Sequence, residues 1–302
     1  MLSIIIPTRN RPAHIEVLLE SIAAAQPTNV EIIIVSSGKA ITDLVNKYKP
    51  DLSIKYRHSE IAGQINQKLQ ALSMVSNESS WVMFCDDDLI FSKDFFSQLT
   101  KVLPSDNNVI GIGVSLPSTE KLGHPYGISS IISKIFCLYN MRAGAILRNG
   151  HACSYMKAQN PTKTQWLSGA SIWRKDIAMK YSSVYPNSKY AAYEDVIYSF
   201  KMSKIGTLIF MPSLRLDFQN VSTNDVEPIN AFISAMFWRN YLISTDDYFS
   251  RSLFLWSQLG RNIDFLLRSK FRGASFLART FVRLLISVLK KSDPLELLMK
   301  YC

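Results

Sequence analysis

The chain of 302 residues is poor in the features that mark several large protein classes. Its four cysteines, Cys85, Cys137, Cys153 and Cys302, form no CxxC pair and have no zinc-like spacing. They cannot make a disulfide scaffold for a chain of this size, and free thiols fit a reducing compartment. Gly and Pro number 12 each, too few for a collagen-like or low-complexity chain. No run of roughly 18 uncharged apolar residues is present, so no spanning helix is expected. The opening MLSIIIPTRNRP has neither the charged nor the long apolar region of a secretory leader; it reads as a strand following Met1. RNP, KH and zinc-finger patterns are missing, so nucleic acid is not expected as a partner. The histidines, His14, His58, His124 and His151, show no paired metal-ligand spacing.

What is present is a well-packed composition with an uneven charge. Hydrophobic residues make up 47% and charged residues 19%, enough for one large α/β domain with a helical appendage. Basic residues outnumber acidic ones 34 to 24. From Ala231 to Cys302 there are 11 Lys/Arg against 5 Asp/Glu, so the last quarter carries over half of the excess. Such a surface suits a nucleic acid, an anionic lipid or a phosphorylated substrate, and charge alone does not choose among them.

Short apolar runs alternate with helical spacing through the first half. Ser3–Ile6, Glu31–Val35, Ile54–Arg57, Trp81–Cys85 and Val109–Val114 read as strands. Pro12–Ala25, Thr42–Tyr48, Ile61–Val75 and Phe95–Val102 read as helices between them. This order predicts a mostly parallel sheet covered by helices. Residues 115–165 are rich in Gly, Ser, Pro and Asn and read as loops. WLSGASIWR (Trp166–Arg174) then reads as a strand, with helices near Asp176–Lys180 and Asp195–Lys204. Two short strands are expected at Leu208–Met211 and Leu214–Phe218, and helices from Ala231 onward.

Asp86-Asp87-Asp88 ends the fourth apolar run. Adjacent carboxylates repel one another unless a cation or ligand compensates, and strand ends of open α/β sheets are where ligands bind. Hard oxygen donors there suit Mg²⁺ or Mn²⁺ held against a diphosphate; a solvated acidic turn capping the next helix is the plainer alternative. Gly169, between Ser168 and Ala170, lets a backbone approach a ligand or a neighbouring helix closely. Trp166 and Trp173 have the chemistry to stack on a sugar or to fill the core. Glu194-Asp195 opens a helix whose Val196, Ile197 and Phe200 form an apolar stripe.

Taken in order, SIIIPTRNRP, the strand with DDD, WLSGASIWRK and YEDVIYSFKMSKIG resemble family 2 glycosyltransferases with the GT-A fold, over about residues 1–220. The resemblance implies a sugar nucleotide lying across the C-terminal edge of the sheet. Pro7, Thr8, Arg9 and Asn10 would border the nucleotide in the loop after the first strand. Asp86 would lie near the ribose and Asp88 on the metal, with Asp86 a second metal candidate and Asp87 between them. Gln64 and Asn66, in GQINQK, match a helix start that contacts the nucleotide, and Gly169 would shape the sugar pocket. Asp195 of the Glu194-Asp195 pair would be the catalytic base. Two positions depart from the family pattern. Ser36-Ser37-Gly38 stands where many relatives have an acidic pair that reads the base, leaving Ser36 as the candidate. Arg215–Asn220 holds no histidine metal ligand, and Asp217 is the oxygen donor in reach.

Phe237-Trp238-Arg239-Asn240 resembles an Arg-Asn helix found after the catalytic part in bacterial members. Farther on, Leu277, Phe281, Leu284, Leu285 and Val288 lie about 180° around a helix from Arg279, Arg283 and Lys290. Such a helix either lies in an anionic membrane interface or packs its apolar side on the enzyme; Asp293-Pro294 ends it before a short apolar tail. The expectation is a glycosyltransferase domain over 1–225, with a nucleotide-sugar half to about 115 and an acceptor half beyond, then a basic helical region over 226–302. It would be an inverting, Mn²⁺- or Mg²⁺-dependent enzyme with a nucleoside diphosphate sugar donor and a saccharide or lipid-linked saccharide acceptor. Its place would be the cytoplasm, peripheral on the inner face of the cell membrane, in surface polysaccharide synthesis. A non-catalytic nucleotide-sugar-binding subunit with the same fold is the alternative.

Overall fold

β-Branched runs make the centre of the molecule. A computed structural model of the chain describes residues 1–103, 106, 108–116, 128–138, 142–181, 192–219 and 227–301. His124, Asn220, Cys302 and the expected helix stop at Pro104 lie outside the described residues. In chain order the first half holds β1 (Leu2–Arg9), α1 (Pro12–Ala24), β2 (Val30–Ser37), α2 (Thr42–Tyr48), β3 (Ile54–Ser59) and α3 (Gln64–Leu72). Then come β4 (Trp81–Phe84), β5 (Leu89–Phe91), α4 (Phe95–Val102), β6 (Val109–Ser115) and α5 (Ile128–Ile135). The second half holds β7 (Thr162–Thr164), β8 (Ser171–Arg174), α6 (Lys175–Ala178), α7 (Glu194–Met202) and β9 (Thr207–Phe218). It closes with α8 (Pro228–Ser244), α9 (Arg251–Arg268), α10 (Ala274–Lys290) and α11 (Pro294–Tyr301).

The nine strands form one sheet in the order β3-β2-β1-β4-β8-β6-β9-β5, with β7 also on β9. β3, β2, β1 and β4 are parallel throughout. β8 runs against both β4 and β6, so antiparallel pairing is confined to the second half, where β6 and β9 are again parallel. Side chains alternate across the sheet. Ile4, Ile6, Ile32 and Ile34 pack under α1 with Ile15, Leu18 and Leu19. Ile5, Ile33 and Phe84 face α3 and α7, and the same cluster takes in Met236, Phe237 and Trp238 of α8. Trp173 is buried there too.

The structure differs from the sequence reading at several places. The two short strands expected after α7 are the single strand β9, because Pro212–Leu214 are absorbed as a bulge opposite Val114–Ser115. Only Ser171–Arg174 of the WLSGASIWR run is strand. The amides of Leu167 and Ser168 are taken by Ser199 Oγ (2.9 Å) and Tyr155 Oη (2.7 Å), which keeps that backbone out of the ladder. α3 starts at Gln64 rather than Ile61, since Gly63 stands at φ 139°. Within the stretch read as loops, α5 and β7 are ordered elements.

At the C-terminus the apolar side of α10 packs inward, with Leu277 and Leu284 buried in the cluster around α8. Arg279 and Lys290 are exposed, beside an exposed row of Val282, Ile286 and Leu289. α10 ends at Lys290, ahead of Asp293-Pro294 as expected, and the apolar tail is the short helix α11, in which Pro294 takes the first position, where its missing amide is no loss.

The crossing of β6 and β8 is so close that Gly111 has no room for a side chain. A Cβ there would lie 2.8 Å from Leu208 Cδ2 and 2.9 Å from Trp173 Cε3. Gly111→Ala is therefore expected to cost about 1–3 kcal/mol, read as a lower urea midpoint with an unchanged slope.

Candidate active site

From β1 the chain moves to β2 and β3 on one side, and returns through α3 to β4 on the other. Strand order thus reverses between β1 and β4, which opens a crevice at their C-terminal ends. Pro7 is buried inside β1, which runs on through Thr8 to Arg9, so these residues form a strand end rather than a loop. Thr8 Oγ1 donates to Asp87 Oδ2 (2.6 Å) and Arg11 Nη1 donates to Asp87 Oδ1 (3.0 Å). Both oxygens of Asp87 therefore latch the acidic turn to β1. Arg9 and Asn10 are exposed at the rim. Asn10, at φ 55°, accepts from the Lys39 amide (2.8 Å) and fills the space beside Gly38.

Ser36 is buried, and its hydroxyl is shared with Tyr56 Oη (2.8 Å) and His58 Nδ1 (3.1 Å). Ser37 Oγ is buried without a partner among the described residues. Gln67 Nε2 donates to Thr8 O (2.6 Å) and Val35 O (2.8 Å), tying the ends of β1 and β2. Gln219 does the same for the acidic turn: its backbone amide donates to Asp88 O (2.8 Å), and its side chain to His14 O (3.0 Å). Neither glutamine was singled out from sequence; an amide in the buried stripe of α3 was the available signal for Gln67. Asn66 reaches only Ile61 O (3.5 Å). Asp217 is exposed on β9 opposite Ile90. Trp166 is half-buried and donates to Cys153 O (2.8 Å).

Asp86 turns toward the second half. Gln64 Nε2 donates to its Oδ1 (3.3 Å), and a Cβ on Gly169 would fall 2.8 Å from its Oδ2. The Gly169 backbone therefore borders this carboxyl. Below them, Lys68 of α3 is buried and donates to Glu194 Oε1. Tyr181 Oη donates to Glu194 Oε2, so both Glu194 oxygens are engaged. Phe84 and Tyr181 present ring faces to the ammonium at 5.3 and 5.8 Å. Burial opposes the Lys68 charge, but Glu194, Asp86 and Asp195 together hold its pKa above the usual lysine value.

Asp195 sits in the first turn of α7 and, among the described residues, accepts only from the Val196 amide (2.8 Å). Burial, then the neighbouring Glu194, pushes its carboxyl up to about 7, against the pull of that amide and of Lys68. Tyr193 before it is left-handed at φ 73° and is anchored by its hydroxyl, which donates to Gly150 O (2.6 Å) and accepts from the Ala152 amide (3.1 Å).

The acidic turn has the chemistry of a cation site. Burial pushes Asp86 up to about 6; Lys68 opposes this, while Asp88, Glu194 and Asp87 add to it. Asp88 is raised by burial and by Asp87, with Arg11 opposing. Like charges pressed together in this way are relieved by a divalent cation. Among the described residues no three His, Cys, Asp or Glu side chains gather as a metal cage. Two carboxylates leave coordination positions for phosphate oxygens and water, the arrangement Mg²⁺ favours.

Comparison with known proteins agrees with this geometry. The family model described as Glycosyl transferase family 2 matches residues 3–156. An uncharacterized glycosyltransferase of Haemophilus influenzae is 28% identical over 112 residues, which is 36% of this chain and 36% of that relative. TarS of S. aureus, solved in complex with UDP, superposes with a TM-score of 0.56 at 16% identity, over 86% of this chain and 70% of that one. The mannosyltransferase PcManGT from Pyrobaculum calidifontis, in complex with GDP-Man and Mn²⁺, gives a TM-score of 0.56 at 11% identity over 97% and 88%. At these identities the likeness is one of fold, and the fold is GT-A.

The buried pair beneath the site is expected to behave asymmetrically. Lys68→Met alone strands the Glu194 carboxylate and should cost about 3–5 kcal/mol in urea unfolding. The double variant Lys68→Met/Glu194→Gln should recover most of that loss.

Proposed function

The chain belongs to glycosyl transferase family 2, and from that premise we propose that it is an inverting, divalent-cation-dependent transferase acting on a nucleoside diphosphate sugar. The observation that carries this reading is the convergence of Asp86, Glu194 and Asp195 on one buried lysine, Lys68. It brings the acidic turn of β4 and the start of α7 to a common centre beside Gly169.

In this reading the nucleotide lies in the crevice between β1 and β4, bordered by Arg9, Asn10 and Gln64. Pro7, Thr8 and Asp87 build the crevice floor, and Ser36 with Tyr56 and His58 forms the wall where the base lies. Asp88 and Asp86 would hold Mn²⁺ or Mg²⁺, whose positive charge offsets the charge building on the departing diphosphate. Asp195 takes the proton of the acceptor hydroxyl as that oxygen attacks the anomeric carbon and the nucleoside diphosphate leaves. Attack from the face opposite the leaving group inverts the configuration. Glu194, held by Lys68 and Tyr181, positions Asp195 and does not itself reach the acceptor.

The acceptor half is taken as residues 116–225, and the acceptor as a hydroxyl of a glycan or lipid-linked saccharide in bacterial surface polysaccharide synthesis. Peripheral binding to the inner membrane face is supported by two exposed rows. Leu253, Trp256, Leu259, Ile263 and Leu267 line one side of α9, and Val282, Ile286 and Leu289 lie beside Arg279 and Lys290 on α10. No helix among the described residues is long and apolar enough to cross a membrane.

Asp195→Asn should lower transfer by about 10²–10⁴-fold while leaving donor binding intact; unchanged transfer would remove Asp195 as the base. With the carboxyl at about 7, only its ionised form accepts a proton. kcat/KM should therefore rise with pH below 7, level off above it, and lose this limb in Asp195→Asn. Calorimetry should show donor binding that needs Mn²⁺ or Mg²⁺ and is lost in Asp88→Asn. Donor binding by a wild type that transfers to no acceptor would instead identify a nucleotide-sugar-binding subunit. Vesicles rich in phosphatidylglycerol should co-sediment the protein, and Arg279→Ser/Lys290→Ser should weaken that by about 1 kcal/mol per removed charge.

A further inference from the structure

Behind the start of α7 lies a group of positive charges with no ion pair among the described residues. Arg239 of α8 is 4% exposed. Its Nε donates to Ala235 O (3.2 Å), and its guanidinium lies over the Tyr193 ring, 5.8 Å from the centroid. Its two Nη groups make no hydrogen bond or ion pair with the described residues. The second charge of the group is Arg261 of α9. Its Nη2 donates to His151 Nδ1 (2.5 Å), and its Nε is buried without a partner. The carboxylate that influences Arg261 is Asp264, which is itself bound to Arg268 at 2.9 Å.

Burial without compensation leaves its mark on all three groups. It brings Arg239 down to about 9, with Arg261 adding to the effect. Arg261 is lowered by burial although Tyr193 and Asp264 oppose this. His151 is held well below its usual value by burial and both arginines, so it stays neutral and offers Nδ1 as an acceptor. A fold gains nothing from two desolvated guanidinium groups gathered at Tyr193, one over its ring and the other on His151, next to the Ala152 amide that binds its hydroxyl. The arrangement makes sense when an anion joins them.

We propose that Arg239 and Arg261 bind a phosphate group of the acceptor, a phosphomonoester or phosphodiester carried near the hydroxyl that Asp195 deprotonates. Two planar forks with free N–H groups match the oxygens of a phosphate, and two positive charges match its dianion. Arg239 is the buried end of this group, and Arg261 and His151, which are half-buried, are its end nearer the surface. Tyr193 links it to the chemistry. That residue carries Arg239 on its ring, is pinned through its hydroxyl to Gly150 and Ala152, and directly precedes Glu194-Asp195. The donor diphosphate belongs with Asp86 and Asp88 at the strand ends, so an anion on the arginines approaches Asp195 from the other side. The word acceptor rests on the transferase reading given above; the anion pocket itself does not.

The test is a titration of the full chain with inorganic phosphate in the presence of chelator, where no divalent cation is left to hold the probe at Asp86 and Asp88. Wild type should bind phosphate, and Arg239→Gln and Arg261→Gln should each weaken binding by about tenfold or more. Without phosphate both variants should unfold at the same temperature as wild type or higher, because an unpaired buried charge has gone. Should Arg239→Gln fail to fold, Arg261→Gln, at the open side, decides the matter. Unchanged phosphate affinity in the variants, or no binding by wild type, overturns the proposal. Glycerol 1-phosphate and micellar farnesyl phosphate then separate the sources: tighter binding of the isoprenyl phosphate assigns a lipid carrier, and equal binding a phosphate group without a lipid. Phosphate binding that depends on both arginines in a protein that transfers no sugar would keep the pocket and overturn the function proposed above.

Discussion

An ammonium group with almost no water around it has to be surrounded by negative charge, and at Lys68 this need organises the molecule. Its partners come from separate parts of the chain: Asp86 from the turn after β4, Glu194 and Asp195 from the start of α7. Removing water from four charged groups is costly, and only close mutual pairing offsets the cost. The pairing fixes α3 against α7, and with them the two sides of the crevice. Asp86 and Asp195 inherit from the same burial the raised pKa values that distinguish them from surface carboxyls.

Around this centre the work of the acidic turn is divided. Asp87, the most buried of the three, is spent on structure through Thr8 and Arg11. Gln219 holds the turn from the β9 side and Gln67 holds the neighbouring strand ends. Asp86 and Asp88 are left without such direct strong donors, Gln64 at 3.3 Å apart. The sheet supplies the reason for the location: the reversal of strand order at β1 and β4 opens a crevice at their C-terminal ends.

Much of this was legible in the residues. The expected bounds of α2 and α4 agree with the structure, since their apolar spacing and flanking breaks are unambiguous. The parallel strands were visible as β-branched runs, and the acidic turn as a charge repulsion that demands a cause. Three things were not legible. Lysine and arginine in a helical pattern read as surface, so Lys68 and Arg261 gave no sign of burial; only contact between distant segments reveals it. Pro212 reads as a strand break, yet a bulge accommodates it within β9. The Trp166–Ala170 stretch has strand composition, but side chains from α7 and from Tyr155 capture its amides.

The Lys68–Glu194 pair also responds to heat in a manner opposite to the packed layers on either side of it. Hydration of ions weakens as temperature rises, so the penalty for keeping this pair dry falls on warming. Apolar burial gains no comparable advantage over the same range. The join between α3 and α7 therefore carries a growing share of the cohesion of the molecule in a warm cell, and cold is the condition under which the two walls of the crevice are held least firmly by charge.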